Sequence, residues 1–80
     1  MKPVKFLIYY RDMPVVLENF VNSKGVSYVK DGLRPLDGSS VPRITVTVHS
    51  PNEPEFKDKL KKLERMLEDL KKSGQIVDYK

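Results

Sequence analysis

The run Arg43-Ile44-Thr45-Val46-Thr47-Val48-His49, followed directly by Ser50-Pro51-Asn52-Glu53-Pro54-Glu55 and a long charged segment, constrains this chain more than any other stretch. Ile44, Val46 and Val48 alternate with Arg43, Thr45, Thr47 and His49, the period-two pattern of a strand with one dry face. The segment behind it is a helix. Phe56, Leu60, Leu63, Leu67 and Leu70 recur in steps of four and three, and Met66 broadens this core-facing stripe. Ser50 with Glu53, or Asn52 with Glu55, makes a capping box at the helix start, and these acids also suit the positive end of the dipole. Glu55 with Lys59, Asp58 with Lys62 and Glu68 with Lys72 are acid-before-base pairs on the exposed side. Each is worth about 0.3 kcal/mol. Gly74 stops the helix, and Gln75-Ile76-Val77-Asp78-Tyr79 reads as a terminal strand.

Residues 4–10 place Val4, Phe6, Ile8 and Tyr10 on one side and Leu7 and Tyr9 on the other, as expected of a strand central in its sheet. Arg11-Asp12-Met13-Pro14 ends it. Asp12 is the expected N-cap of a short helix reaching about Ser23, and Pro14 is tolerated because amides of the first turn lack intrahelical partners. Val16, Leu17, Phe20 and Val21 recur at helical spacing, and Gly25 is placed for the left-handed conformation that follows a helix. Residues 26–30 read as a shorter, more polar strand at a sheet edge. Asp31-Gly32, Pro35 and Asp37-Gly38 punctuate the connection to Pro42, which is either a wide hairpin loop or two strands prolonged toward a tip.

The order strand, helix, strand, strand, helix, strand, with right-handed crossovers, predicts an α+β domain of ferredoxin-like βαββαβ type. The first and third strands then lie in the middle of a four-stranded antiparallel sheet, with two helices on one face. That face takes Phe6, Ile8, Ile44, Val46 and Val48 against Leu17, Phe20, Phe56, Leu60, Leu63 and Leu67. The other carries Leu7 and Tyr9, whose exposure points to a partner.

Eighty residues allow one domain, spanning 1–80, and a core this small makes self-association a natural source of further burial. The net charge of +4 is scattered, and the long helix interleaves both signs, so a nucleic-acid-binding domain is the less favoured alternative. A purely structural oligomerisation module is a further one. With no cysteine there are no disulfides, thiolate nucleophiles or thiolate-held metals. No stretch has the length of a membrane span or the form of a signal peptide, so the expected location is the cytoplasm, without membrane contact.

Catalytic signals are weak. His49 has no second histidine for a metal and no cysteine to activate, and none of the serines sits in a nucleophile turn. Acylphosphatases share the element order and use an arginine where Arg11 stands, yet their glycine-rich loop is missing. RNA-recognition domains stack bases on central-strand aromatics, where this chain has Arg43, Thr45 and Thr47. The expectation is a binding protein, without enzymatic activity, cofactor or metal.

The stretch Asp12-Met13-Pro14-Val15-Val16-Leu17 resembles the turn that opens the first helix of ACT domains. Phe20-Val21-Asn22-Ser23-Lys24-Gly25-Val26 is similar to the next segment of acetolactate synthase small regulatory subunits. Val41 to Val48 and Phe56 to Leu63 match their third strand and second helix in pattern. The resemblance covers roughly residues 6 to 70 and rests on order and spacing. It implies a regulatory module that forms a homodimer and binds an amino-acid effector, in allosteric regulation of a catalytic subunit of acetolactate synthase type. The implied effector site comprises Arg11, Asp12, Met13, Pro14, Val15, Val16 and Leu17, with Val26 and Tyr28 reaching it from a second-strand edge across the dimer axis. Val15 stands where the family has glycine, so a β-branched side chain occupies space that a ligand would use there.

Overall fold

The computed structural model describes residues 2–80. The elements are β1 (Val4–Tyr9), α1 (Val15–Val21), β2 (Val26–Leu36), β3 (Ser39–Val48), α2 (Glu53–Lys72) and β4 (Asp78–Tyr79). The four strands form one antiparallel sheet in the order β2-β3-β1-β4.

The alternation around Val46 does what a period of two requires. Phe6 pairs with Val46, Ile8 with Ile44 and Val4 with Val48. Paired residues share a face, so these side chains form one apolar layer. It joins Leu17, Phe20 and Val21 of α1 and Phe56, Leu63, Leu67 and Leu70 of α2 in a single core cluster, with Leu60 and Met66 partly buried beside it.

Of the two helix starts, α2 follows the Asn52 alternative and α1 departs from its expected cap. Asn52 Oδ1 accepts from the Glu55 amide at 3.3 Å, and the buried Ser50 donates its hydroxyl to Glu55 Oε2 at 3.2 Å. The Asn52–Glu55 pairing therefore marks the helix start, and Ser50 bonds the same glutamate in place of Glu53. At α1 the N-cap is Pro14, not Asp12, and no side chain caps the helix. Pro14 is extended (φ −63°, ψ 138°) and its carbonyl accepts from Glu18 N, so the helix begins two residues later than the acid signalled.

The connection between the second and third strands is the prolonged-strand alternative. β2 runs eleven residues and pairs with β3 down to Leu36–Ser39, with Asp37-Gly38 as the turn. Asp31-Gly32 is no turn; the register shifts between Lys30 and Gly32, a bulge that absorbs Asp31. The prolonged hairpin buries Leu36 and Val41 against Tyr9, with Leu7 and Val77 packed at the margin. Tyr9 is therefore only 4% exposed. The sheet face expected to be bare at Leu7 and Tyr9 is covered by the chain's own arm.

β4 is shorter than the expected 75–79 strand. Ile76 instead enters the main core, and Val77 N donates to Tyr9 O at 2.8 Å before the ladder closes between Leu7 and Lys80. No described helix is long and apolar enough to cross a membrane.

Candidate functional site

Two concavities border the helices. The first lies at the β1–α1 turn, a cleft of about 540 Å³ walled on one side by Arg11, Asp12, Met13, Pro14 and Val15 and on the other by Gly74, Gln75, Ile76 and Val77.

The second wall is built by the way α2 ends. Gly74 adopts φ +76°, its amide donates to Lys71 O at 3.1 Å, and Gln75 N donates to Leu70 O at 2.9 Å. This glycine-dependent hook turns the chain back on itself and drops Ile76 into the core. Val77 is then tied to Tyr9, two residues before Arg11, so both walls hang from the end of β1. Lys71 Nζ locks the hook from outside, 2.9 Å from Asp78 Oδ1. Lys71 and the amide of Tyr79 hold the Asp78 carboxyl below its ordinary value, and the Lys71 ammonium is raised in return, chiefly by Asp78.

At the mouth, Arg11 and Asp12 are both exposed. Among the described residues neither forms an ion pair. Val15 is 72% exposed, so its branched side chain stands at the opening and not in the core.

The other residues of the implied effector site separate. Val16 lines the second concavity, and Leu17 is fully buried in the core. Val26 and Tyr28 lie on β2, two strands away from β1. Val26 pairs with Val48, which pairs with Val4, so it sits at the end of the sheet opposite the turn. Within one chain they do not meet residues 11–15.

The second concavity is a groove of about 750 Å³ along α2, lined by Val16, Met66 and Leu70 between Asp58, Lys61, Lys62, Arg65 and Asp69. A smaller recess continues past Phe20 to Ser23, where Lys59 Nζ donates to Ser23 Oγ at 3.2 Å and lies 5.6 Å from the centre of the Phe20 ring. Sequence reasoning missed this groove, and it missed the wall at 74–77. The spacing of Gly74 and Ile76 was the available signal for the wall, since an apolar residue just beyond a left-handed glycine commonly packs back on its helix.

A third cluster lies on the arm-covered face. Asp31 Oδ2 accepts from Thr45 Oγ1 at 2.6 Å and from Arg43 Nε at 2.9 Å. Together these hold its carboxyl below the usual range against the opposing effect of burial. Every partner is internal, so the cluster ties β2 to β3. Among the described residues no three His, Cys, Asp or Glu side chains gather as a metal ion would need.

No family model, curated protein or solved structure matches this chain. The architecture and the two concavities define it as a small α+β protein with a turn cleft and a helix groove, and the functional reading rests on them.

Proposed function

We propose that this chain is a ferredoxin-like regulatory module of ACT type, which self-associates and takes an amino-acid effector in the cleft at the β1–α1 turn. The element order, the strand order β2-β3-β1-β4 and the shared core of both helices with one sheet face support the ferredoxin-like reading.

The observation that carries the ligand reading is the cleft itself. It opens at Arg11–Val15, and its mouth offers a guanidinium and a carboxylate that form no ion pair among the described residues. An amino acid is the complementary zwitterion. Arg11 pairs with its carboxylate, in the planar two-point geometry that guanidinium favours, and Asp12 pairs with its ammonium. Val15 narrows the opening, which favours a small or slender side chain. Regulation of a catalytic subunit of acetolactate synthase type is what the resemblance at residues 20–26, 41–48 and 56–63 implies.

Thermal unfolding against a panel of amino acids, branched-chain ones included, tests the reading. At a hundred times its dissociation constant a ligand stabilises the fold by about 2.7 kcal/mol. A selective rise in Tm that Arg11→Ala and Asp12→Ala both abolish supports the site. No rise with any amino acid removes it.

A further inference from the structure

The turn cleft and the α2 groove meet. Gln75 lines both of them, Val15 borders the cleft where its chain neighbour Val16 lines the groove, and Gly74 and Ser73 divide between the two in the same way. The hook after α2 makes this junction, because Gly74 turns the chain back at φ +76° and sets Gln75 on the shared rim. The Gln75 carboxamide is tied to the end of the helix, its Nε2 donating to Ser73 Oγ at 2.9 Å. A molecule held at Arg11 and Asp12 therefore has a second, apolar trough beside it.

At 1.5 Å per residue, Leu70 lies about 5 Å and Met66 about 10 Å back from Ser73 along the axis of α2. Leu70 is buried, Met66 is half-buried and Val16 is 48% exposed, so the floor beyond the junction is apolar and partly wet. Its rim carries Asp69 and Arg65, which have opposite signs. A charged tip gains from one what it loses to the other, whereas an apolar chain removes water from Val16 and Met66. Val15 stands at the passage with its branched side chain 72% exposed. A chain branched at Cβ meets it there, and an unbranched one passes.

We infer that the near end of the α2 groove is the side-chain subsite of the amino acid proposed for the turn cleft, selecting a long, unbranched, apolar side chain of the methionine or norleucine kind. The subsite rests on the ligand part of the function proposed above and supplies what that part leaves open, the identity of the side chain. The flexible thioether of methionine suits a shallow, irregular floor. Arg11 and Asp12 serve every amino acid alike, and Val16 and Met66 discriminate among them.

Thermal unfolding of the whole chain, titrated in turn with alanine, valine, methionine, norleucine, lysine and glutamate, tests the subsite. The quantity read is the ligand concentration that gives a fixed rise in Tm. Methionine and norleucine should each need at least about tenfold less than alanine, since each buried methylene is worth about fourfold in affinity. Both should also need less than valine. Val16→Asp and Met66→Gln should each bring the methionine-to-alanine ratio to within about threefold of one. That ratio is read inside one variant, so a change in basal Tm does not enter it, and far-UV circular dichroism checks that each variant keeps its helices. Alanine and methionine acting at equal concentrations would overturn the subsite and leave the cleft standing. So would a stronger response to valine, lysine or glutamate than to methionine, or a methionine preference that survives both substitutions. No response to any of the six removes the cleft itself as a ligand site, and the subsite with it.

Discussion

Arg43 and Asp31 sit on adjacent strands across the only register shift between β2 and β3, joined by a 2.9 Å contact from Arg43 Nε to Asp31 Oδ2. The bulge turns Asp31 toward the face where Thr45 and Arg43 can both reach it. The guanidinium is raised above its ordinary value, first by Asp31 and then by Tyr9, its cross-strand neighbour. One acid thereby fixes the register at the base of the arm that covers Tyr9.

Acid should loosen this chain through Asp31 and Asp78. Both carboxyls are depressed in the folded state, Asp31 first by the Thr45 hydroxyl and Asp78 first by Lys71. A depressed folded value means stability that is present above the unfolded carboxylate range, near about pH 4, and lost as pH falls through the folded value. Urea unfolding at pH 7 and pH 3 should show wild type losing more than Asp31→Asn or Asp78→Asn. Thr45→Val should cost about 1 kcal/mol at pH 7 and less at pH 3.

Gly25 and Gly38 both have φ +82°, but only Gly25 is crowded, since a Cβ there would lie 3.0 Å from Ser50 Cβ. Gly38→Ala should cost the backbone strain alone, about 1 kcal/mol. Gly25→Ala should cost at least about 2 kcal/mol, and a double cycle with Ser50→Gly should return the part due to contact. Denaturant midpoints of the four variants decide it.

Asn52→Ala should lower stability by about 1 kcal/mol, because it removes the side chain that caps α2. Asp12→Ala should change it by less than about 0.5 kcal/mol, because Asp12 is exposed and caps nothing. That neutrality also makes Asp12→Ala a clean probe of the turn cleft. Thermal unfolding without ligand checks both.

Leu36→Ala should destabilise the chain by about 2 kcal/mol and uncover Tyr9, whereas Leu33→Ala, on the same arm but 62% exposed, should stay within about 0.5 kcal/mol. With no tryptophan present, acrylamide quenching of tyrosine fluorescence reports the uncovering directly. An arm that packs only loosely would give equal quenching in both variants.

The candidate site was legible only in half. The turn at Arg11–Val15 could be read because it joins a strand pattern to a helix pattern in consecutive residues. Its opposing wall comes from residues 74–77, some sixty positions later, and no local period marks which turn a distant hook will face. The groove stayed hidden for a related reason. Lys62 and Asp69 read as an ordinary solvated helix surface, and only the fold sets Val16 of α1 beside them to form a groove.

The sequence by itself determined the order of elements, the dry face of β3 and the stripe of α2, because burial on one side imposes a period of two or of 3.6 on nearby residues. Tertiary structure alone decided where Asp31 would be spent, what would cover Tyr9 and that α1 would start at Pro14 with no acid capping it. Turn residues such as Asp31-Gly32 suit a bulge as well as a hairpin end, and Asp12 suits a loop as well as a cap. Pairing with β3, and the packing of Leu36 and Val41 on Tyr9, selected between conformations that local chemistry left nearly equal.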